Sequence, residues 1–133
     1  MSYTHSVTES YSSTTGSLAV TTTQTADGEL NLSPVIPAGA SAQKVDFPMD
    51  ISQTMSLILY SASALVLTMY TAADAATGDV VTLAAGVPVV WQTGFPYTKA
   101  NLGITADFAY VKVANASGAD VTLEIRHLYD STL

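Results

Sequence analysis

The sequence predicts an all-β protein with a two-sheet sandwich, and three observations carry that prediction. Apolar and polar residues alternate with period two in most ordered-looking segments. Turn residues (Gly, Asn, Asp, Pro) punctuate the chain at short, regular intervals. No window holds a 3.6-residue apolar stripe over the ~12 residues a stable helix needs. About eight or nine antiparallel strands fit this pattern, and a single sandwich of jelly-roll type accommodates them.

The elements follow in order. Residues 3 to 11 alternate, with Tyr3, His5, Val7, Glu9 and Tyr11 on one face and Thr4, Ser6, Thr8 and Ser10 on the other. Thr14 to Ser17 reads as a turn. Residues 18 to 25 form a Thr-rich strand, because β-branched Thr favours extended backbone. Ala26-Asp27-Gly28 is a tight turn, and Glu29 to Leu32 a short strand. Pro34 to Ala42 is a loop. From Lys44 to Ile51 the alternation is clean: Val45, Phe47, Met49 and Ile51 inward, Lys44, Asp46, Pro48 and Asp50 outward. Pro48 has no N–H to donate, so this strand belongs at an edge or a bulge.

Met55 to Tyr60 and Ala64 to Tyr70 are apolar on both faces and read as central strands. Asp74 to Asp79 reads as a loop. Val80 to Leu83 and Val87 to Trp91 are short strands, and Gln92 to Gly103 is the longest irregular stretch. Phe108 to Val113 and residues 121 to 129 are the last strands, joined by the turn Ala114 to Ala119. Residues 1 to 25 stand apart as a Ser/Thr-rich hairpin or arm, and residues 26 to 133 form the sandwich. The first segment is either an edge hairpin of the sandwich or an arm that pairs with a neighbouring subunit, since edge strands offer unpaired N–H and C=O groups.

Composition narrows the function classes. The chain has 133 residues, 48% hydrophobic, so one domain with a sizeable core is expected. Charged residues make up 11%, against a usual share of about 25%. Ser and Thr fill the gap. The net charge is −7, and the four basic residues are Lys44, Lys99, Lys112 and Arg126. Nucleic-acid binding needs clustered cations, so it is not expected, and neither is adsorption to anionic membrane. There is no cysteine, hence no disulfide, thiolate metal site or thiol nucleophile. The N-terminus shows no basic region followed by an apolar segment, so no signal peptide is expected.

Candidate chemistry is sparse, and no catalytic residue, cofactor site or metal site is assigned. His5 and His127 are the only histidines. His127 reads as a core or rim residue, and His5 as solvated or at a contact. Neither H-x-H nor H-E-x-x-H spacing occurs. No G-x-S-x-G elbow supports a Ser-His-Asp site. The pairs Asp27 with Glu29 and Asp74 with Asp79 have the positions of paired carboxylates or of a calcium loop, but also of ordinary turn chemistry. Lys112 and Arg126 lie on late strands read as neighbours, with Glu124 beside Arg126 for cross-strand pairing.

The segment Trp91 to Tyr97 carries three aromatics in seven residues around a Gly and a Pro. It either caps the sandwich core or packs on a partner, since Trp and Tyr concentrate interface energy. Candidate protein-interface residues are therefore Tyr3, His5, Val7 and Tyr11 from the first segment and Trp91, Phe95 and Tyr97 from the second.

The run from Thr82 to Trp91 and the run from Ala109 to Asp130 resemble small virion structural proteins of tailed bacteriophages. Ile36-Pro37-Ala38-Gly39-Ala40 is similar to a loop those proteins carry earlier. These are packing and turn motifs and bring no catalytic residues. The resemblance implies a non-enzymatic virion component, foremost a capsid decoration (cement) protein that stabilises contacts between major capsid subunits. It implies the major capsid protein or other virion proteins as partners, and a homo-oligomer, a trimer in first place. Its location would be the virion, after synthesis in the host cytoplasm. A neck, tail or head-fibre component is the nearest alternative. A carbohydrate-binding module, stacking sugars on Trp91, Tyr97 and Tyr70, is the alternative of another class.

Overall fold

Antiparallel pairing organises the whole chain. In the computed structural model, which describes Met1 to Leu133, there are eleven strands and one turn of 3-10 helix, Lys99–Leu102. The strands are β1 (Tyr3–Ser13), β2 (Gly16–Ala26), β3 (Gly28–Leu32), β4 (Val35–Ile36), β5 (Gln43–Val45), β6 (Thr54–Ser61), β7 (Leu65–Tyr70), β8 (Ala76–Leu83), β9 (Val89–Gln92), β10 (Tyr110–Ala114) and β11 (Val121–Tyr129).

Nine of these build the sandwich. One sheet has the order β3-β11-β6-β9, with β4 also on β11; the other has the order β5-β10-β7-β8. Pro34 separates β3 from β4, and both pair with β11, so together they act as one interrupted edge strand. The Pro34 carbonyl still accepts the Leu123 N–H at 2.9 Å. Counted that way there are eight strands, ordered 1-8-3-6 in one sheet and 2-7-4-5 in the other. That alternation is the jelly-roll arrangement, as the periodicity predicts.

The core lies between the sheets. Leu57, Leu59, Leu123 and Ile125 face Leu65, Leu67, Met69, Val111 and Val113, with Ile36, Phe47 and Phe108 filling the ends. Phe47 and Phe108 meet edge to face, 5.3 Å between centroids. Both runs expected to be central are central: β6 lies between β11 and β9, and β7 between β10 and β8.

Several expectations are corrected. The strand expected over residues 44 to 51 is regular only at Gln43–Val45, plus an isolated bridge from Met49 to Phe108. Its burial still alternates, and β5 is an edge strand, while Pro48 lies past its end, outside any ladder. The loop expected from Asp74 to Asp79 is largely strand, since β8 begins at Ala76. Lys112 and Arg126 are not neighbours, because β10 and β11 belong to opposite sheets. Arg126 instead pairs with Glu124 two residues away on its own strand, at 2.8 Å.

The β1–β2 hairpin is no edge of the sandwich either. It pairs only with itself over its full length, from Tyr3↔Ala26 to Ser13↔Gly16. On one face, hydroxyl pairs bridge the strands: Thr4–Thr25 at 3.1 Å, Ser6–Thr23 at 3.1 Å and Thr8–Thr21 at 2.8 Å.

Two buried polar groups organise the loops. The Asn115 amide donates to the carbonyls of Ile36, Pro37 and Ala119 at 3.0–3.1 Å and accepts from Ser117. Asp79 accepts from Thr105 N–H and Oγ1 and from Ala106 N–H, which holds its pKa below the usual carboxylate value despite burial. That tie presses Gly103 against β8. Gly103 has φ +96°, and a Cβ there would lie 2.3 Å from the Val80 carbonyl oxygen. Gly103→Ala is therefore expected to destabilise the fold by at least ~2 kcal/mol, read from the urea midpoint. Asn115→Ala, which removes the three hydrogen bonds of a buried amide while the Pro37 and Ala119 carbonyls keep Ala40 N–H and Ser117 Oγ, is expected to cost a similar amount.

Candidate interaction surface

The hairpin is docked through its base. The His5 ring sits between Ser56 Oγ (3.2 Å from Nδ1) and Glu29 (3.3 Å from Nε2). Gln92 Nε2 reaches the His5 carbonyl at 3.5 Å and Ser56 Oγ at 3.4 Å, and Gln24 Nε2 donates to the Thr93 carbonyl at 3.0 Å. These contacts lay the base across the outer face of the β3-β11-β6-β9 sheet, where Ser56, Gln92 and Leu128 are fully buried. Tyr3, His5 and Val7 are half-buried there.

Past Val7 the hairpin runs free of the sandwich. Register places Glu9 opposite Val20 and Tyr11 opposite Leu18, all on the face that carries His5 at the base. Tyr11, Leu18 and Val20 are 64, 62 and 53% exposed. Neither β1 nor β2 has a second neighbour, so both edges are open.

The segment from Trp91 to Tyr97 lies beside this hairpin. Gln24 ties to Thr93, and the Glu9 charge, after burial, contributes to raising the Tyr97 pKa. Two sequence-separated candidates thus form one surface. Within the segment the roles differ. Trp91 is 9% exposed; its indole N–H donates to the Tyr97 carbonyl at 2.9 Å, and Lys99 Nζ lies 4.4 Å from the centre of its ring. Of the two readings for Trp91, the buried ring agrees with the one in which it caps the core. It holds the loop, together with the Tyr97 hydroxyl, which donates to the Val90 carbonyl at 2.6 Å. Phe95 and Tyr97, edge to face at 5.5 Å, are the half-exposed rings. His5, expected as solvated or at a contact, is committed to its own chain.

Leu18 and Val20 were not among the sequence candidates. Their signal is register: once Thr14-Thr15 forms the turn, they stand opposite Tyr11 and Glu9.

A cleft of about 410 Å³ opens elsewhere, lined by Leu30, Met49, Phe108 and Tyr129 with His127 and Asp50. Its polar groups have partners within the chain, apart from His127 Nδ1. Ser52 N–H and Oγ donate to the Asp50 carboxylate, lowering its pKa. Thr54 Oγ1 spends its one hydrogen on the Asp50 carbonyl at 2.8 Å, so His127 Nε2 donates to that oxygen at 3.0 Å. His127 is a core histidine, packed edge-on against Phe47 at 5.7 Å. Desolvation depresses its pKa to about 4. At neutral pH it is uncharged, with Nδ1 as a buried acceptor lacking a partner. Among the weighed carboxylates, Asp27 accepts from Ser131 N–H and Oγ, and Glu29 faces His5 and Asn31. These contacts anchor turns and the hairpin base.

No protein-family model matches the chain, and no curated protein matches it. Among solved structures, the chain is similar to one reported under the description that Bacillus endospore appendages form a family of disulfide-linked pili. The identity is 13% and the TM-score 0.42, over 78% of this chain and 88% of that one. That level of likeness does not extend to function.

Two outcomes follow from the site. Trp91→Ala is expected to lose roughly 3–5 kcal/mol in chemical denaturation, while Leu18→Ala stays within about 0.5 kcal/mol. His127 sets a pH dependence. Its folded pKa lies below the ordinary 6.5, so the unfolded chain takes up the proton first. The stabilisation is complete above about pH 6.5 and is lost as pH falls towards 4, a total of roughly 3 kcal/mol. Urea midpoints at pH 7 and 4.5 should separate, and the separation should shrink in His127→Gln.

Proposed function

We propose that the chain is a non-enzymatic structural component of a bacteriophage particle, foremost a capsid decoration protein. One observation carries this reading. The free half of the hairpin joins an apolar stripe (Tyr11, Leu18, Val20) to two open strand edges, beside Phe95 and Tyr97. Such a surface suits an assembly contact with a neighbouring subunit, through buried apolar area and strand addition.

Other features support it. The runs at residues 82 to 91 and 109 to 130 resemble small virion structural proteins. The jelly-roll architecture is common in viral capsid and lectin domains, which is a fold-level analogy. The hairpin carries one formal charge, Glu9, and a net charge of −7 for the chain favours protein over nucleic acid as the surface bound.

Attachment is measured by co-sedimentation with particles and by quantitative mass spectrometry of purified particles. A copy number comparable to the major shell protein, or a fixed fraction such as one-third of it, is the expected result. A few copies per particle would move the chain to the neck, tail or a head fibre, and absence would discard the virion reading. Leu18→Glu should weaken attachment about tenfold or more, with the melting temperature unchanged.

A further inference from the structure

The neighbour that covers the hairpin tip can be named from the chain itself. Among the four cations, Lys44 lies 3.9 Å from Asp46, Arg126 lies 2.8 Å from Glu124, and Lys99 Nζ donates to the Ile51 carbonyl. Lys112 has neither a carboxylate nor a carbonyl partner and rests over the Tyr70 ring at 4.5 Å. It stands in register with Lys44, which lies 4.3 Å over Tyr110, and the two tyrosines stack at 5.4 Å. By strand alternation these groups share the outer face of the β5-β10-β7-β8 sheet with Val66 and Val80, which are exposed. This face carries two lysines and two exposed valines beside Thr68 and Thr82; Asp46 pairs with Lys44 and Asp74 accepts from the Tyr110 hydroxyl, which leaves Lys112 as its cation without a carboxylate partner.

The hairpin tip is its complement. It has three exposed apolar side chains and Glu9, which has no ion-pair partner. Six residue pairs, from Thr8↔Thr21 to Ser13↔Gly16, make the tip about 20 Å long at ~3.3 Å per residue. Four strands at ~4.8 Å make the receiving face about 15–20 Å wide. A chain's own tip does not reach that face, because its base is fixed on the outer side of the opposite sheet.

We infer that the hairpin tip of one copy lies on the Lys44–Lys112 face of a second copy, with Glu9 against Lys112 and the Tyr11–Leu18–Val20 stripe against Val66 and Val80. The inference rests on the reading of the hairpin as an assembly element and names its partner. Donor and acceptor surfaces differ, so the contact is heterologous and closes as a ring or continues as a row.

The absence of cysteine makes the test direct. Leu18→Cys in one chain and Val80→Cys in another place single thiols at exposed positions. Mixed under oxidised glutathione, they should form a mixed disulfide dimer about tenfold faster than Leu18→Cys with Thr122→Cys, which lies on the opposite sheet. Glu9→Lys on the Leu18→Cys chain should slow the reaction. Adding Lys112→Glu to the Val80→Cys chain should restore it. Equal rates for the two mixtures, a prevailing Leu18–Leu18 dimer, or indifference to charge reversal would each overturn the contact. Particle co-sedimentation reports separately. Attachment without cross-linking removes the contact between copies alone, and cross-linking without attachment removes the capsid reading alone.

Discussion

The cluster of His5, Gln24, Gln92, Ser56 and Glu29 at the hairpin base determines what the rest of the surface can do. A two-stranded ribbon alone is marginally stable in water. Here its first few residue pairs borrow the sandwich as a third layer. Ser56 and Gln92 would be exposed polar groups on a bare sheet; under the hairpin they are buried, and their hydrogen bonds fix where it lies. The half beyond Val7 inherits its direction from those few contacts. Without them, Tyr11, Leu18 and Val20 would have no defined place relative to Phe95 and Tyr97, and the two segments would not form one surface.

The sandwich was largely legible in the sequence because each strand has one buried face, and period two records that directly. Val45, Phe47 and Met49 alternate correctly even where the backbone is irregular, since burial and not hydrogen bonding sets the pattern. What the pattern does not carry is sheet membership. Lys112 and Arg126 sit on the last two strands, yet face opposite sides of the molecule, because the chain crosses between sheets at the Asn115 turn. Asp79 looked like a loop residue because its partners, Thr105 and Ala106, lie 26 and 27 positions away. Trp91 reads both as a core cap and as a contact ring because sequence alone does not show that the Tyr97 carbonyl accepts from its N–H.

The interaction surface was half legible. The alternating face of β1 was visible; its partners on β2 were hidden inside a Thr-rich run that looks uniformly polar. Leu18 and Val20 acquire meaning only through the two-residue turn that sets the register. The lysine face was hidden for a similar reason. Lys44 and Lys112 are 68 positions apart, and their adjacency is a property of the β5–β10 ladder. In a chain with four cations, this ladder places half of them side by side on one sheet.

Only Asp27 separates β2 from β3, and its carboxylate is held by Ser131 near the C-terminus. Hairpin and sandwich thus meet at a pivot one residue long, locked by the opposite end of the chain. In an assembly built tip to face, the angle at that pivot repeats at every joint. Small changes there would add up around a ring or along a row, so the curvature of the whole array is set jointly by the backbone of one aspartate and by the contacts that clamp the hairpin base.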